Sequence, residues 1–269
     1  MFRKLATFAL VTLFAMPAFA APVRRARIDF STAGGYTSTN SVGAACGATD
    51  NEICYMSFGG AAYPLVVMFD AALTVVGPDM TATGADWPID ATDDESLEIG
   101  FGEVANDNSI CKFTTGTDTF YAKATFKVTT LADADVAMLC FIEQATHADV
   151  DDPGDINTTS PVYTDYVCLG VTTDGDFRTY TSVGGATAVD TDITTTTLVA
   201  NTATTVMIKV SAARAATYFV GGTNQATANG AVAYTFTNAL EVQPFLLIAN
   251  DDAAGGGNVE MQLLECGLQ

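Results

Sequence analysis

Histidine is almost missing from this chain: His147 is the one such residue in 269. A zinc centre built from several histidines is thereby excluded. Any Ser-His-Asp or Cys-His arrangement would have to use His147, which stands in the loop HADVDDPGDINTTS with no nucleophile motif beside it. Cations are scarce too. Eleven Lys and Arg face 31 Asp and Glu, a formal net charge of −20. Such a surface repels phosphate backbones and anionic lipid, so neither nucleic acid nor membrane is an expected partner. It keeps the chain solvated and could gather divalent cations. After the N-terminal segment, no apolar run approaches the ~20 residues of a membrane-spanning helix. No helical face of useful length, internal repeat or low-complexity linker is found. Gly59-Gly60, Gly184-Gly185 and Gly255-Gly256-Gly257 open no helices, which excludes a phosphate-cradling loop.

What the chain does have is β-strand patterning. Hydrophobic residues make up 49%, enough for a sizeable core in one large all-β domain. In Phe120 to Val128 the residues Phe120, Ala122, Ala124, Phe126 and Val128 share one face, and Tyr121, Lys123, Thr125 and Lys127 the other. Val206, Ile208 and Val210 alternate in the same way with Met207, Lys209 and Ser211. Ala216 to Val220 returns the chain, and Gly221-Gly222 supplies the positive φ angles of a tight hairpin. Val242 to Ala249 and Val259 to Cys266 follow, so the segment from Thr205 to Gln269 reads as an antiparallel meander. In the last strand, alternation puts Val259, Met261 and Leu263 on one face and Glu260, Gln262 and Leu264 on the other. Further strands are expected at Tyr63 to Phe69, Ser96 to Gly102, Ile110 to Phe113, Val136 to Glu143, Val162 to Val171, Phe177 to Val183 and Ile193 to Leu198. Residues 21–60 read as an extended lead-in with at most short strands. This spacing of strands and Gly/Asp turns predicts an all-β, two-sheet sandwich or barrel.

The N-terminus has the layout of a signal peptide. Arg3 and Lys4 precede the apolar Leu5 to Met16, and Pro17-Ala18-Phe19-Ala20 ends in an A-x-A cleavage pattern. The other reading of residues 1–20 is an arm that packs on a neighbour. Residues 21–269 are then expected to form one domain. Six cysteines allow fifteen disulfide connectivities in an exported protein. Cys46 and Cys54 flank a short loop and are the easiest pair. Cys140 and Cys168 lie on successive predicted strands and could face each other. In a reducing cytoplasm all six would instead stay as thiols.

The order FYAKATFKV, DADVAMLCFIEQ, YTDYVCLGV, GDFRTYTSVGG and TTVMIKVSAARAATYFVGGT resembles the concanavalin A-like lectin/glucanase jelly roll. In its hairpin TTVMIKVSAARAATYFVGGT an alternating strand turns and returns as an aromatic-rich strand ending in Gly. The close, EVQPFLLIANDDAAGGGNVEMQLLECGLQ, is similar to that of phage virion-structural proteins with this fold. The resemblance covers residues 91–269. It implies a virion surface role, capsid-decorating or fibre-like, through assembly with copies of itself or other virion subunits. Its alternative implication is an exported lectin-like module that binds surface glycans. Enzyme activity is not expected in either case, and the protein would sit on a virion surface or outside the cell.

Glucanases of this fold carry E-x-D-x-E on one strand, which places their carboxylates on one face. No such set is present here. Glu95 and Glu98 differ by three positions and Glu260 and Glu265 by five, which on regular strands means opposite faces. The metal candidate is a calcium loop of Asp149, Asp151, Asp152 and Asp155, with Asn157. Pro153 stands where a fifth-position ligand belongs, and no Glu stands at position twelve. Aromatic platforms for a glycan would come from Trp87, Tyr163, Tyr166 and Tyr180, although aromatics in strands more commonly pack in cores.

Overall fold

The computed structural model describes residues 25–40, 52–69, 77–88, 95–101, 110–130, 135–143, 163–172, 175–186, 189–225, 233–250 and 258–269. Residues 1–20, Cys46, His147 and the proposed calcium ligands lie outside them. Every regular element among the described residues is a strand, and they form two antiparallel sheets. The eight-stranded sheet runs β16 (Thr223–Asn224), β15 (Ala216–Val220), β14 (Thr204–Val210), β9 (Phe120–Val128), β18 (Asn258–Leu268), β6 (Ala85–Pro88) and β5 (Asp79–Met80). In it β1 (Arg25–Asp29) pairs with β18 beyond the end of β6. The ten-stranded sheet runs β13 (Val189–Thr197), β12 (Asp176–Ser182), β11 (Tyr166–Val171), β10 (Asp135–Glu143), β17 (Glu241–Asn250), β7 (Glu95–Phe101), β4 (Leu65–Phe69), β3 (Glu52–Phe58) and β2 (Tyr36–Asn40). A short β8 (Phe113–Thr114) also pairs with β17. This is the two-sheet antiparallel sandwich that the strand pattern predicts.

The two sheets meet over one apolar core. From β9 come Phe120, Phe126 and Val128, from β14 Val206 and Ile208, from β10 Leu139 and Phe141, and from β17 Leu246 and Ile248. Phe113 stacks on Phe120 at 4.7 Å between ring centroids, and Phe120 meets Phe141 edge-on at 5.1 Å. Removing such a side chain from water contributes roughly 1.5–3 kcal/mol. Strict alternation in β9 is therefore enough to fix which of its faces turns inward.

The C-terminal segment is not one meander. β14, β15 and β16 are hairpin neighbours as expected, and Gly221 and Gly222 take φ of 57° and 82° in the turn. β17 then crosses to the ten-stranded sheet, and β18 returns to the eight-stranded one. The composition of β17 explains the move. Val242 to Ala249 is buried on both faces, the property of a central strand covered on each side. Pro244 has no N–H for a ladder, and it lies in the gap where β17 exchanges β8 for β7 as its neighbour.

Two other expectations change. The lead-in is more structured than its composition suggests, because 21–60 contains β1, β2 and the seven-residue β3. Ile28 of β1 enters the core with Phe30 just beyond it. In β18 the pairing register with β9 slips between Met261 and Leu263. This bulge reverses the later parity. Leu264 and Cys266 join Val259 and Met261 in the core, while Leu263 and Glu265 turn outward. Cys266 is bonded to Cys111, a link that joins β18 to the segment leading into β8.

Candidate functional site

Tyr163, Tyr166 and Tyr180 do come together, on the face of the ten-stranded sheet that points away from the core. They join Met138, Ile142, Phe245 and Leu247 in a second buried cluster. The Cys140–Cys168 disulfide crosses β10 and β11 inside it, at a directly opposed pair. Cys54 is also disulfide-bonded. The Tyr163 hydroxyl donates to Glu98 Oε1 at 2.7 Å, and its ring leans on Phe245. Exposures of 3%, 1% and 7% leave none of the three tyrosines an open ring face. Burial pushes the Tyr166 hydroxyl well above the usual phenol range. Trp87, 1% exposed, points into the main core. As glycan platforms these four residues are therefore corrected: each is packed rather than offered to solvent, because the hydrophobic gain of burying a ring exceeds that of a wet position.

The carboxylates also sit differently from their sequence spacing. Because of the bulge in β18, Glu260 and Glu265 share the outer face of the eight-stranded sheet. Glu260 lies opposite Lys127, and Glu265 opposite Lys123. Those lysines are four positions apart on β9, so the acids are about 13 Å apart at ~3.3 Å per residue. Glycoside hydrolysis needs roughly 5–9.5 Å. Burial raises the Glu260 carboxyl, but hydrogen bonds from Lys127 at 2.8 Å and from Gln262 outweigh it and hold the group below the ordinary range. Glu265 is lowered in the same way: burial is outweighed by hydrogen bonds from Arg25 at 2.7 Å and from Tyr121. Two carboxylates kept ionised supply no general acid. Asp86 faces Glu260 across β6 and β18, and burial followed by the Glu260 charge raises its carboxyl. Among the described residues no group of three or more His, Cys, Asp or Glu is placed to hold a metal ion.

A groove with room for a ligand lies elsewhere on that outer face. Register aligns Phe219 of β15, Met207 of β14 and Lys123 of β9 in one row across three strands. Thr205 and Thr125 form the neighbouring row, joined by a 2.8 Å hydroxyl hydrogen bond. Gly221 and Gly222 close one side. The result is an open groove of about 460 Å³ lined by Lys123, Thr204, Thr205, Met207, Phe219 and Gly221. The Lys209 ammonium stands over the Phe219 ring, 5.2 Å from its centroid, a cation–π contact of about 0.5–1 kcal/mol at an exposed site. An aromatic ring, a thioether, hydroxyls and two ammonium groups thus share one accessible depression. The sequence reading assigned Lys123, Met207 and Lys209 to outward faces but did not nominate them, nor Phe219, as a site. Their signal was available as bulky or charged residues at the outward positions of three strands, but it needed the cross-strand register to become a cluster.

No family model and no curated protein matches the sequence. Solved structures do resemble the chain in path. The carbohydrate recognition domain of Emp47p is 9% identical with a TM-score of 0.49, covering 71% of this chain and 85% of its own. The carbohydrate binding module CBM66 from Bacillus subtilis is 10% identical with a TM-score of 0.42, over 71% and 91%. The alginate lyase from Corynebacterium sp. is 9% identical with a TM-score of 0.48, over 87% and 94%. At identities this low the likeness concerns the fold, and no ligand or activity is carried over from it.

Proposed function

We propose that this protein is a non-enzymatic, lectin-like carbohydrate-binding module, exported or displayed at a surface. The observation that carries the reading is the groove around Phe219. A pyranose has an apolar C–H face and a rim of hydroxyls. The partly exposed Phe219 ring and Met207 suit the face, and the Thr205 hydroxyl, with that of Thr125 beside it, suits the rim. About 460 Å³ falls within the ~300–1,000 Å³ of small-ligand sites and holds one or two sugar rings. The test is isothermal titration against an oligosaccharide panel, with circular dichroism to verify folding. Phe219→Ala is expected to weaken binding at least tenfold while leaving the spectrum unchanged. A folded wild-type protein that binds no sugar, or a Phe219→Ala variant that binds as well as wild type, would sink the proposal.

A second reading, a virion surface protein acting through subunit assembly, is favoured by one edge of the ten-stranded sheet. Among the described residues β13 is its terminal strand, and Val183 and Val189 at that edge are 38% and 48% exposed. Unpaired edge groups beside exposed valines suit addition of another chain. A specific assembly would bury roughly 1,000 Å² or more in total. Sedimentation of a Val189→Lys variant beside wild type decides it: a wild type that stays monomeric at high concentration removes this reading. Calcium at Asp149, Asp151, Asp152 and Asp155 belongs to the proposal too, and a melting temperature that ignores both calcium and chelator would remove it.

A further inference from the structure

We infer that the groove between β14, β15 and β9 selects an acidic sugar, a hexuronate whose carboxylate pairs with Lys123 and Lys209. This rests on the carbohydrate-binding reading and specifies its ligand class.

On a chain of net charge −20, the outer face of the eight-stranded sheet gathers Arg25, Arg27, Lys123, Lys127 and Lys209. Three of these cations are already committed. Arg25 holds Glu265 Oε2 at 2.7 Å, Arg27 holds Asp29 at 2.9 Å, and Lys127 holds Glu260 at 2.8 Å. The other two form no such pair, although the Lys123 charge helps hold Glu265 ionised and Lys209 rests on Phe219. Lys123 lies opposite Glu265 in register, but the Glu265 oxygens are engaged by Arg25 and by the Tyr121 hydroxyl. Among the described residues neither Lys123 nor Lys209 forms an ion pair. Both stand beside the groove that has Phe219 on its floor.

The placement of the two ammonium groups fits a ring that carries one charge. Lys209 stands two residues from Met207 on β14, about 6.6–6.8 Å along the strand, and Lys123 is the cross-strand neighbour of Met207. A pyranose lying on Phe219 and Met207 would present a carboxylate at its edge between them. Lys209 now rests on the Phe219 ring through a weak cation–π contact. A carboxylate offers its ammonium a stronger partner, so the same event that neutralises the ligand clears the aromatic face for stacking.

Phosphate and sulfate groups are less suited. Lysine binds carboxylate and phosphate alike as a point charge, so the discrimination here comes from charge density and not from fork geometry. The acidic body of the protein opposes densely charged polyanions at long range. At about 8 Å screening in physiological salt, a uronate with one charge per ring meets mainly the local lysines.

The experiment is calorimetric titration of the full chain with trisaccharides of galacturonate, glucuronate and mannuronate, their neutral methyl esters, and neutral glucose and mannose trisaccharides. Wild type, Lys123→Gln, Lys209→Gln and Phe219→Ala are compared, each checked by circular dichroism. At least one free acid is expected to bind tenfold or more tightly than its ester, with affinity falling as salt is raised. Lys123→Gln and Lys209→Gln should shrink the acid-to-ester ratio toward one, whereas Phe219→Ala weakens acid and ester alike. Equal binding of acid and ester, or an acid preference untouched by both lysine variants, overturns the inference. In those cases Phe219-dependent binding would still uphold the carbohydrate reading. Binding of neither acids, esters nor neutral sugars overturns both.

Discussion

Glu265 shows how single residues on the outer face work against or with pH. Its carboxyl is held below the ordinary range, so the folded state binds its proton less readily than the unfolded chain does. The stabilisation it supplies is complete above the unfolded value of about 4.3 and is lost as pH falls through the folded value. Glu265→Gln is therefore expected to lower the urea midpoint at pH 7 and to flatten the acid limb of stability below about pH 4.3; an unchanged acid limb would show that the clasp of Arg25 and Tyr121 is idle. Tyr121, raised to about 12 by burial and then by its hydrogen bond to Glu265, stays a donor throughout this range. Asp86 has the opposite sign. Burial and Glu260 raise its carboxyl, so its ionised form weighs against the fold at neutral pH. Asp86→Asn should raise the urea midpoint at pH 7, and the gain should vanish near pH 3, where the carboxyl is protonated in both states. A lower midpoint at pH 7 would mean that the Asn258 hydrogen bond to Asp86, 3.1 Å, matters more than the repulsion.

At the scale of elements, β18 is the strand on which most expectations turned. Its last residues, Gly267 to Gln269, lie beyond the strand that the sequence predicts, Val259 to Cys266. Instead Gly267 pairs with both Tyr121 and Arg25, Leu268 packs on the core, and the Gln269 amide donates to the Thr119 carbonyl at 2.8 Å. Deleting Gly267 to Gln269 is therefore expected to destabilise the fold, by about 1–3 kcal/mol as for other losses of ladder and core contacts. Equilibrium denaturation of the truncated chain checks it, and an unaltered midpoint would return these residues to a tail. The bulge between Met261 and Leu263 has a similar lesson. Period two predicts faces only while the register runs unbroken, and nothing in VEMQLLECG marks where one residue is extra. Phe120 to Val128 and the Gly221-Gly222 hairpin had no such interruption, and there alternation and turn chemistry located strand and loop directly.

For the molecule as a whole, two covalent links matter differently. Cys140–Cys168 joins adjacent strands of one sheet across 28 residues, whereas Cys111–Cys266 ties the two sheets over 155. Loop-closure entropy makes the longer link worth more, about 5 against about 3.6 kcal/mol in the chain-entropy model. Replacing Cys111 and Cys266 by Ser is expected to cost more stability than replacing Cys140 and Cys168, measured by denaturation under non-reducing conditions. The reverse order would place the main constraint inside the ten-stranded sheet. The pairing of Cys140 with Cys168 was one of the arrangements visible in the sequence, because strands adjacent in sequence commonly pair. That of Cys111 with Cys266 was not, since it depends on how the sheets stack.

The sequence by itself determined the all-β class, the inward face of each regular strand, the tight turns and the scarcity of cations. Each is a local property, carried by alternation, by backbone freedom at glycine or by composition. Tertiary structure alone decided which sheet receives β17 and β18, that Glu260 and Glu265 share a face, that Trp87, Tyr163, Tyr166 and Tyr180 are buried, and that Phe219, Met207 and Lys123 stand in one row. These depend on register between strands far apart in the chain, as where Arg25 lies opposite Gly267 and Lys123 opposite Glu265. Pairing of that kind is chosen by the free energy of the whole packed core, which no window of the chain contains.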